Sequence, residues 1–157
     1  DGIGISADGR HAFITNGSPF SAERGQLIHL ELDGEQVVEA QRFVGQGDLS
    51  HAKPLADGQR FVVSTGESNE IRLFEPFEQT GAYALVQTIT GIGLPQQMAV
   101  AATENGGSWV LVGAVNQTEG PNVTMIGTNT DGRLNEPIRV PLGLGGPNIP
   151  GPIAVGP

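Results

Sequence analysis

The sequence predicts an all-β chain of about three four-stranded antiparallel blades, a partial β-propeller. Three observations lead there. The 157 residues include 24 Gly and 11 Pro, set between apolar runs rather than gathered in one tract. One layout recurs along the chain: a short strand of small residues, a Gly turn, then a strand rich in β-branched and aromatic residues. No comparable span carries a helical period with caps.

The layout occupies residues 2–16, 51–65 and 97–112, and residues 152–157 begin it again. Ala7, Ala56, Ala102 and Gly156 mark equivalent points, at steps of 49, 46 and 54 residues. Such steps are the size of one blade. Asp8-Gly9 and Asp57-Gly58 supply the positive φ that a tight hairpin needs, and Asn105-Gly106-Gly107 serves in the third repeat. Each repeat continues with two more strands, at residues 26–32 and 37–44, 70–74 and 83–89, 122–126 and 137–140. Within the first of these, Leu27, His29 and Glu31 alternate with Ile28, Leu30 and Leu32, as on a half-buried strand. The whole chain, 1–157, therefore reads as one partial propeller domain. Its blades fall near 1–49, 50–96 and 97–149, and residues 150–157 open a next blade.

Charge and composition exclude several classes. The net charge is −9, and the 8 Lys and Arg are scattered, so neither nucleic acid nor an anionic membrane is an expected partner. With no cysteine there is no disulfide, thiolate zinc site or cysteine nucleophile. No run approaches the ~20 apolar residues of a membrane helix, so membrane insertion is not expected. A start at Asp1, without Met or a signal-like segment, suggests a processed product or an excerpt.

Residues 7–16, Ala-Asp-Gly-Arg-His-Ala-Phe-Ile-Thr-Asn, resemble the signature of the YVTN-type β-propeller repeats. There a Pro/Ala-Asp-Gly turn precedes a Tyr-Val-Thr-Asn-like strand. Residues 56–65 repeat the pattern, with Ser64-Thr65 where Thr-Asn is usual, and the third repeat departs further. The Gly-His and Trp-Asp marks of WD40 repeats are missing. The resemblance implies a superfamily of sensors, scaffolds and lactonases, and a periplasmic, cell-surface or secreted location. Propellers close with about 4–8 blades, and three leave open edges. The remaining blades are expected from the same parent chain or from a second copy.

Function is expected on the face shared by the blade-joining loops (45–50, 91–96, 143–151) and the loops between second and third strands (17–25, 66–69, 116–121). Asp48, Asn69, Gln96 and Asn148 are the ligand-binding candidates there. The string 47–52 resembles the Gly-x-Pro-x-His approach of lactonase-type propellers, which implies a channel role for His51. Arg24 and Glu67 lie on the same face. In lactonase-like and cycloisomerase-like relatives, channel Arg, Glu and His act on substrate, so His51, Arg24 and Glu67 are the catalytic candidates. An Arg suits a carboxylate, and a His suits proton transfer. The plainer alternatives are a hydrogen-bonded histidine between blades and an exposed loop ion pair.

No metal or cofactor is expected. Asn129-Thr130-Asp131-Gly132 is similar to the start of a calcium loop, but an Asp-Gly hairpin explains it, and the three histidines lack zinc spacing. Asn16, Asn116 and Asn122 head glycosylation sequons. Trp109 reads as packing between blades. The sequence thus supports a binding or scaffolding module for a protein or small-molecule ligand. It leaves open a lactonase-like hydrolase or cycloisomerase, and a structural subunit of a larger assembly.

Overall fold

The computed structural model describes residues 2–17, 25–66, 68–116 and 120–142. Arg24, Glu67 and Asn148 lie outside the described residues, as do residues 143–157.

The described residues form twelve strands and no helix, arranged as three four-stranded antiparallel sheets. The first sheet is β1 (Gly2–Ile5), β2 (His11–Asn16), β3 (Gln26–Asp33) and β4 (Gln36–Phe43). The second is β5 (Leu49–Pro54), β6 (Phe61–Thr65), β7 (Glu70–Pro76) and β8 (Tyr83–Ile89). The third is β9 (Leu94–Ala102), β10 (Ser108–Asn116), β11 (Gly120–Gly127) and β12 (Ile138–Pro141). Within each sheet the strands pair in chain order, so every connection is a hairpin. β1 packs beside β5, and β5 beside β9, so the first strand of each blade is innermost.

The turns follow their residues. Gly9, Gly34, Gly58, Gly106 and Gly132 all take φ between 58° and 76°, the left-handed region that tight hairpins require. Asn129 Oδ1 accepts the backbone N–H of Asp131 and of Arg133, at 3.0 and 2.9 Å. That Asx turn accounts for the calcium-like string. Among the described residues no group of three or more His or carboxylate side chains could hold a metal.

Alternation along each strand gives each blade two packing faces. Between blades 1 and 2 the core contains Phe13, Leu27, Ala52, Phe61, Phe74 and Tyr83. Between blades 2 and 3 it contains Val62, Leu73, Met98, Val110, Val112 and Ile126. The innermost strands approach closely at the first seam because β1 supplies glycine: a Cβ on Gly4 would lie 2.6 Å from the Ala52 carbonyl oxygen.

Among the described residues, two blade faces carry no neighbouring sheet. On blade 1, Ile3, Ile14 and Ile28 fall in one cross-strand row, and Ile3 and Ile5 are 54% and 51% exposed. On blade 3, Trp109, Met125, Ile138 and Val140 lie on the outward face. Trp109 therefore does not pack between the described blades. It is 36% exposed, and its ring lies over Gly127, where a Cβ would come within 3.2 Å of it.

The third blade also begins earlier than its sequence pattern suggests. β9 starts at Leu94, so the joining loop is shorter than 91–96 and Gln96 belongs to a strand. A register shift between Gly113 and Ala114 absorbs the additional residue.

Candidate functional site

The loop face is organised around the start of β5. A bulge between Leu49 and His51 leaves Ser50 as the extra residue. Such a bulge re-aims the side chains beyond it. The His51 N–H donates to Ser64 Oγ at 3.1 Å. The Ser50 carbonyl lies 3.2 Å from the Thr15 hydroxyl, which also accepts the Gly2 N–H at 2.7 Å. His51 is thus held from both neighbouring strands, and a Cβ on Gly2 would lie 3.1 Å from its Cα.

The His51 imidazole is half-buried, and its Nδ1 is buried without a hydrogen-bond partner. Burial is the main cause lowering its pKa, because the charged form loses hydration, and nearby Lys53 adds to it. The ring is therefore neutral at neutral pH.

Asp48 lies beside His51 in sequence but serves the loops. Its carbonyl accepts the Gly66 N–H at 2.7 Å. Its carboxylate is wedged between two glycine backbones: Oδ1 and Oδ2 lie 3.0 and 2.7 Å from where a Cβ on Gly17 or Gly66 would sit. Asn69 occupies the left-handed region at φ 56°, the one described non-glycine residue with positive φ. Its carbonyl accepts the Ile92 N–H at 3.0 Å, tying the second blade to the next joining loop.

Pattern reading missed the side chains that brace this face. Arg72 donates through Nε and Nη2 to Glu70 Oε2, at 3.0 and 2.8 Å, and through Nη1 to the Gln46 carbonyl at 2.8 Å. Both Arg72 and Glu70 are largely buried, so the joining loop before Asp48 is clamped from β7. Alternating charge on one strand was the available signal, and it reads equally well as a solvated surface.

The other histidines meet each other. His11 Nδ1 and His29 Nε2 are 3.1 Å apart, and His29 stacks on Phe13 at 5.1 Å and meets the Tyr83 ring edge-on at 4.6 Å. The three histidines thus fall into two settings, one of them this pair of buried His29 and half-buried His11. Burial lowers the His29 pKa to about 4 and raises the Tyr83 phenol to about 12. The phenol donates to the Gln59 carbonyl at 2.8 Å. The Asn122 sequon is not available for glycosylation in this fold, since Asn122 and Thr124 are both buried and bonded to each other at 3.0 Å.

On the opposite, hairpin face a cleft of about 650 Å³ runs over the hairpin ends of blades 2 and 3, with Asp57, Arg60, Asn105, Trp109 and Asn135 in its walls.

Twelve strands in three consecutive meander sheets, packed through their first strands, define a β-propeller. Solved structures of this class match it. One is the periplasmic gluconolactonase of Pseudomonas aeruginosa, at 24% identity and TM-score 0.63, covering 90% of this chain and 39% of that one. Another is a candidate 6-phosphogluconolactonase of Bacteroides fragilis, at 19% identity and TM-score 0.65, covering 88% and 38%. A third is Sqt1 of Saccharomyces cerevisiae, at 13% identity and TM-score 0.68, covering 90% and 34%. At these identities the likeness establishes the fold. The chain spans less than two fifths of the length of each of these three structures. No protein-family model matches the sequence. No curated protein matches it either.

Proposed function

We propose that this chain is part of a lactonase-like, YVTN-type propeller that binds a small polar ligand where the innermost strands meet the loop face. One observation carries the reading: His51 Nδ1 is buried without a partner at the head of an innermost strand. An unsatisfied buried nitrogen costs free energy that a ligand hydrogen bond would offset. The groups around it, Asp48, Asn69, Glu70 and Arg72, are already engaged in holding the loops, which suits a rigid binding mouth. Arg24, Glu67, Gln96 and Asn148 remain proposed contributors. Fresh glucono-δ-lactone is the first probe. It should shift the His51 imidazole resonances, and His51→Gln should remove that response. Unmoved His51 signals would sink the reading.

A second reading is lactone hydrolysis. It is favoured by the neutral, half-buried imidazole, which could act as a general base, and by the lactonase names of two structural neighbours. Acid release from the lactone, above the buffer rate and lost in His51→Ala, would support it. A buffer-rate trace would leave binding alone.

The two uncovered blade faces are read as seats for further blades, from the same polypeptide or from a second copy. Light scattering separates these, since two copies would give twice 16.3 kDa. No helix among the described residues is long and apolar enough to cross a membrane. An extracytoplasmic location is part of the proposal, which export to the periplasm or medium would test.

A further inference from the structure

Lys53 is the single lysine of the chain. It lies on β5 two residues after His51, so the two side chains leave the same side of the innermost strand. Two residues of strand place them roughly 6–7 Å apart at their origins. Their partners across the β5–β6 ladder are Val62 and Ser64, both fully buried. The pair therefore rests on a solid floor.

Among the described residues, Lys53 stands apart as a half-buried cation that neither an acid nor a carbonyl holds. Arg42, Arg60, Arg72 and Arg133 pair with Glu39, Asp57, Glu70 and Glu75. Arg139 donates to the Gly91 carbonyl, and Arg10 is exposed. Lys53 is half-buried, and no carboxylate or carbonyl among the described residues bonds its ammonium. Among the described residues no acid pairs with this single lysine, two residues along the strand from a histidine whose Nδ1 also lacks a partner.

The repeat shows that the fold itself does not call for this pair. Steps of 49 and 46 residues place Gly2 and Gly4 at the equivalent positions of blade 1, and Gln97 and Ala99 in blade 3. Neither pair carries charge, yet both blades form the same sheet. The His51–Lys53 pair belongs to blade 2 alone among the three blades.

We propose that His51 and Lys53 form an oxyanion-binding position on the innermost strand, which takes the carboxylate or phosphate group of a small ligand. It rests on the ligand-binding reading above and adds the charge of the group bound. The ammonium supplies the charge and the imidazole a directional hydrogen bond at about 2.8 Å. Partial burial strengthens both by limiting screening. The net negative charge elsewhere disfavours anions bound loosely on the surface, so such a pair would decide where an anion settles.

The test follows the His51 imidazole by NMR while potassium gluconate, inorganic phosphate or neutral glucono-δ-lactone is added to the full chain. Gluconate or phosphate should move the His51 signals with a roughly millimolar dissociation constant. Which anion binds more tightly identifies the oxyanion. Lys53→Gln should weaken that binding about tenfold and Lys53→Arg should restore it, while lactone binding is unchanged in both. Because no described residue bonds the Lys53 ammonium, thermal unfolding should be unaltered. Lactone binding without any anion response would overturn the oxyanion position and leave the ligand-binding reading standing. An anion affinity indifferent to Lys53→Gln would also overturn it. Silence from all three probes would overturn both.

Discussion

The Arg60 guanidinium occupies the space that any side chain at Gly132 would need. A Cβ built on Gly132 would fall inside the guanidinium group. Arg60 reaches that position by pairing with Asp57 at 2.6 Å within its own hairpin and donating to the Asp131 carbonyl at 3.0 Å in the next blade. Blades 2 and 3 are thereby latched on the hairpin face. Gly132 also takes φ 73°, so two separate demands select glycine there.

Gly132→Ala should therefore destabilise the chain by about 1–2 kcal/mol, by strain and by displacing Arg60. In an Arg60→Ala background the same change should cost less, since only the strain remains. A double-mutant cycle in denaturant measures the difference, and additive costs would show that the two residues do not interact.

Two glutamines close the outer edges of the seams in the same way. Gln41 donates to the Tyr83 carbonyl at 2.9 Å and accepts the Tyr83 N–H at 2.8 Å. Gln87 does the same to Leu134, at 2.8 Å both ways. Gln87→Leu would strand a backbone donor and acceptor, costing about 1–3 kcal/mol. Hydrogen exchange at the Leu134 amide should accelerate, while the Tyr83 amide stays protected. Equal acceleration at both would mean that the clamp acts globally.

His29 makes stability depend on pH. Its folded pKa of about 4 lies below the 6.5 of an unperturbed histidine. Between those values the unfolded chain binds the proton and the folded chain does not. The contribution is therefore fully present above about pH 6.5 and is lost as pH falls toward 4, by about 3 kcal/mol in all. Urea midpoints should fall across that window, and His29→Leu should flatten most of the fall. An unchanged slope in the variant would assign the effect to other groups.

Gly17 is the tightest point between β2 and the start of β5. A Cβ there would overlap the Leu49 carbonyl oxygen and meet the Asp48 carboxylate. Since a backbone carbonyl cannot swing aside as a side chain can, Gly17→Ala should lower stability by more than about 2 kcal/mol. It should also shift the His51 NMR signals, because Leu49 and His51 share the bulge. A well-folded variant with unmoved His51 signals would separate the loop packing from the site.

Local signals determined much of this chain. The Asp-Gly and Asn-Gly turns, the period-2 runs and the blade-sized spacing are short-range properties, and each hairpin obeys its own residues. They yield the all-β class, the order of the strands and the position of His51 at the head of an innermost strand. The β9 boundary escaped them because Pro95, which cannot donate to a ladder, reads as loop, yet it lies inside the strand. There the pairing with β10 decided.

Everything that depends on which faces meet was decided by the tertiary structure. A histidine on a period-2 strand gives no sign of its partner, yet packing drives His29 against Phe13 and Tyr83 and brings His11 to it. Trp109 has the same strand pattern as its buried neighbours Val110 and Val112, but its parity places it on the blade face without a neighbour. The lack of a counter-charge for Lys53 among the described residues is likewise invisible in sequence, because ion pairs form between residues brought together by the seams. Turns and periodicity act within a few residues, whereas burial and charge pairing are properties of surfaces that exist only once the blades have packed.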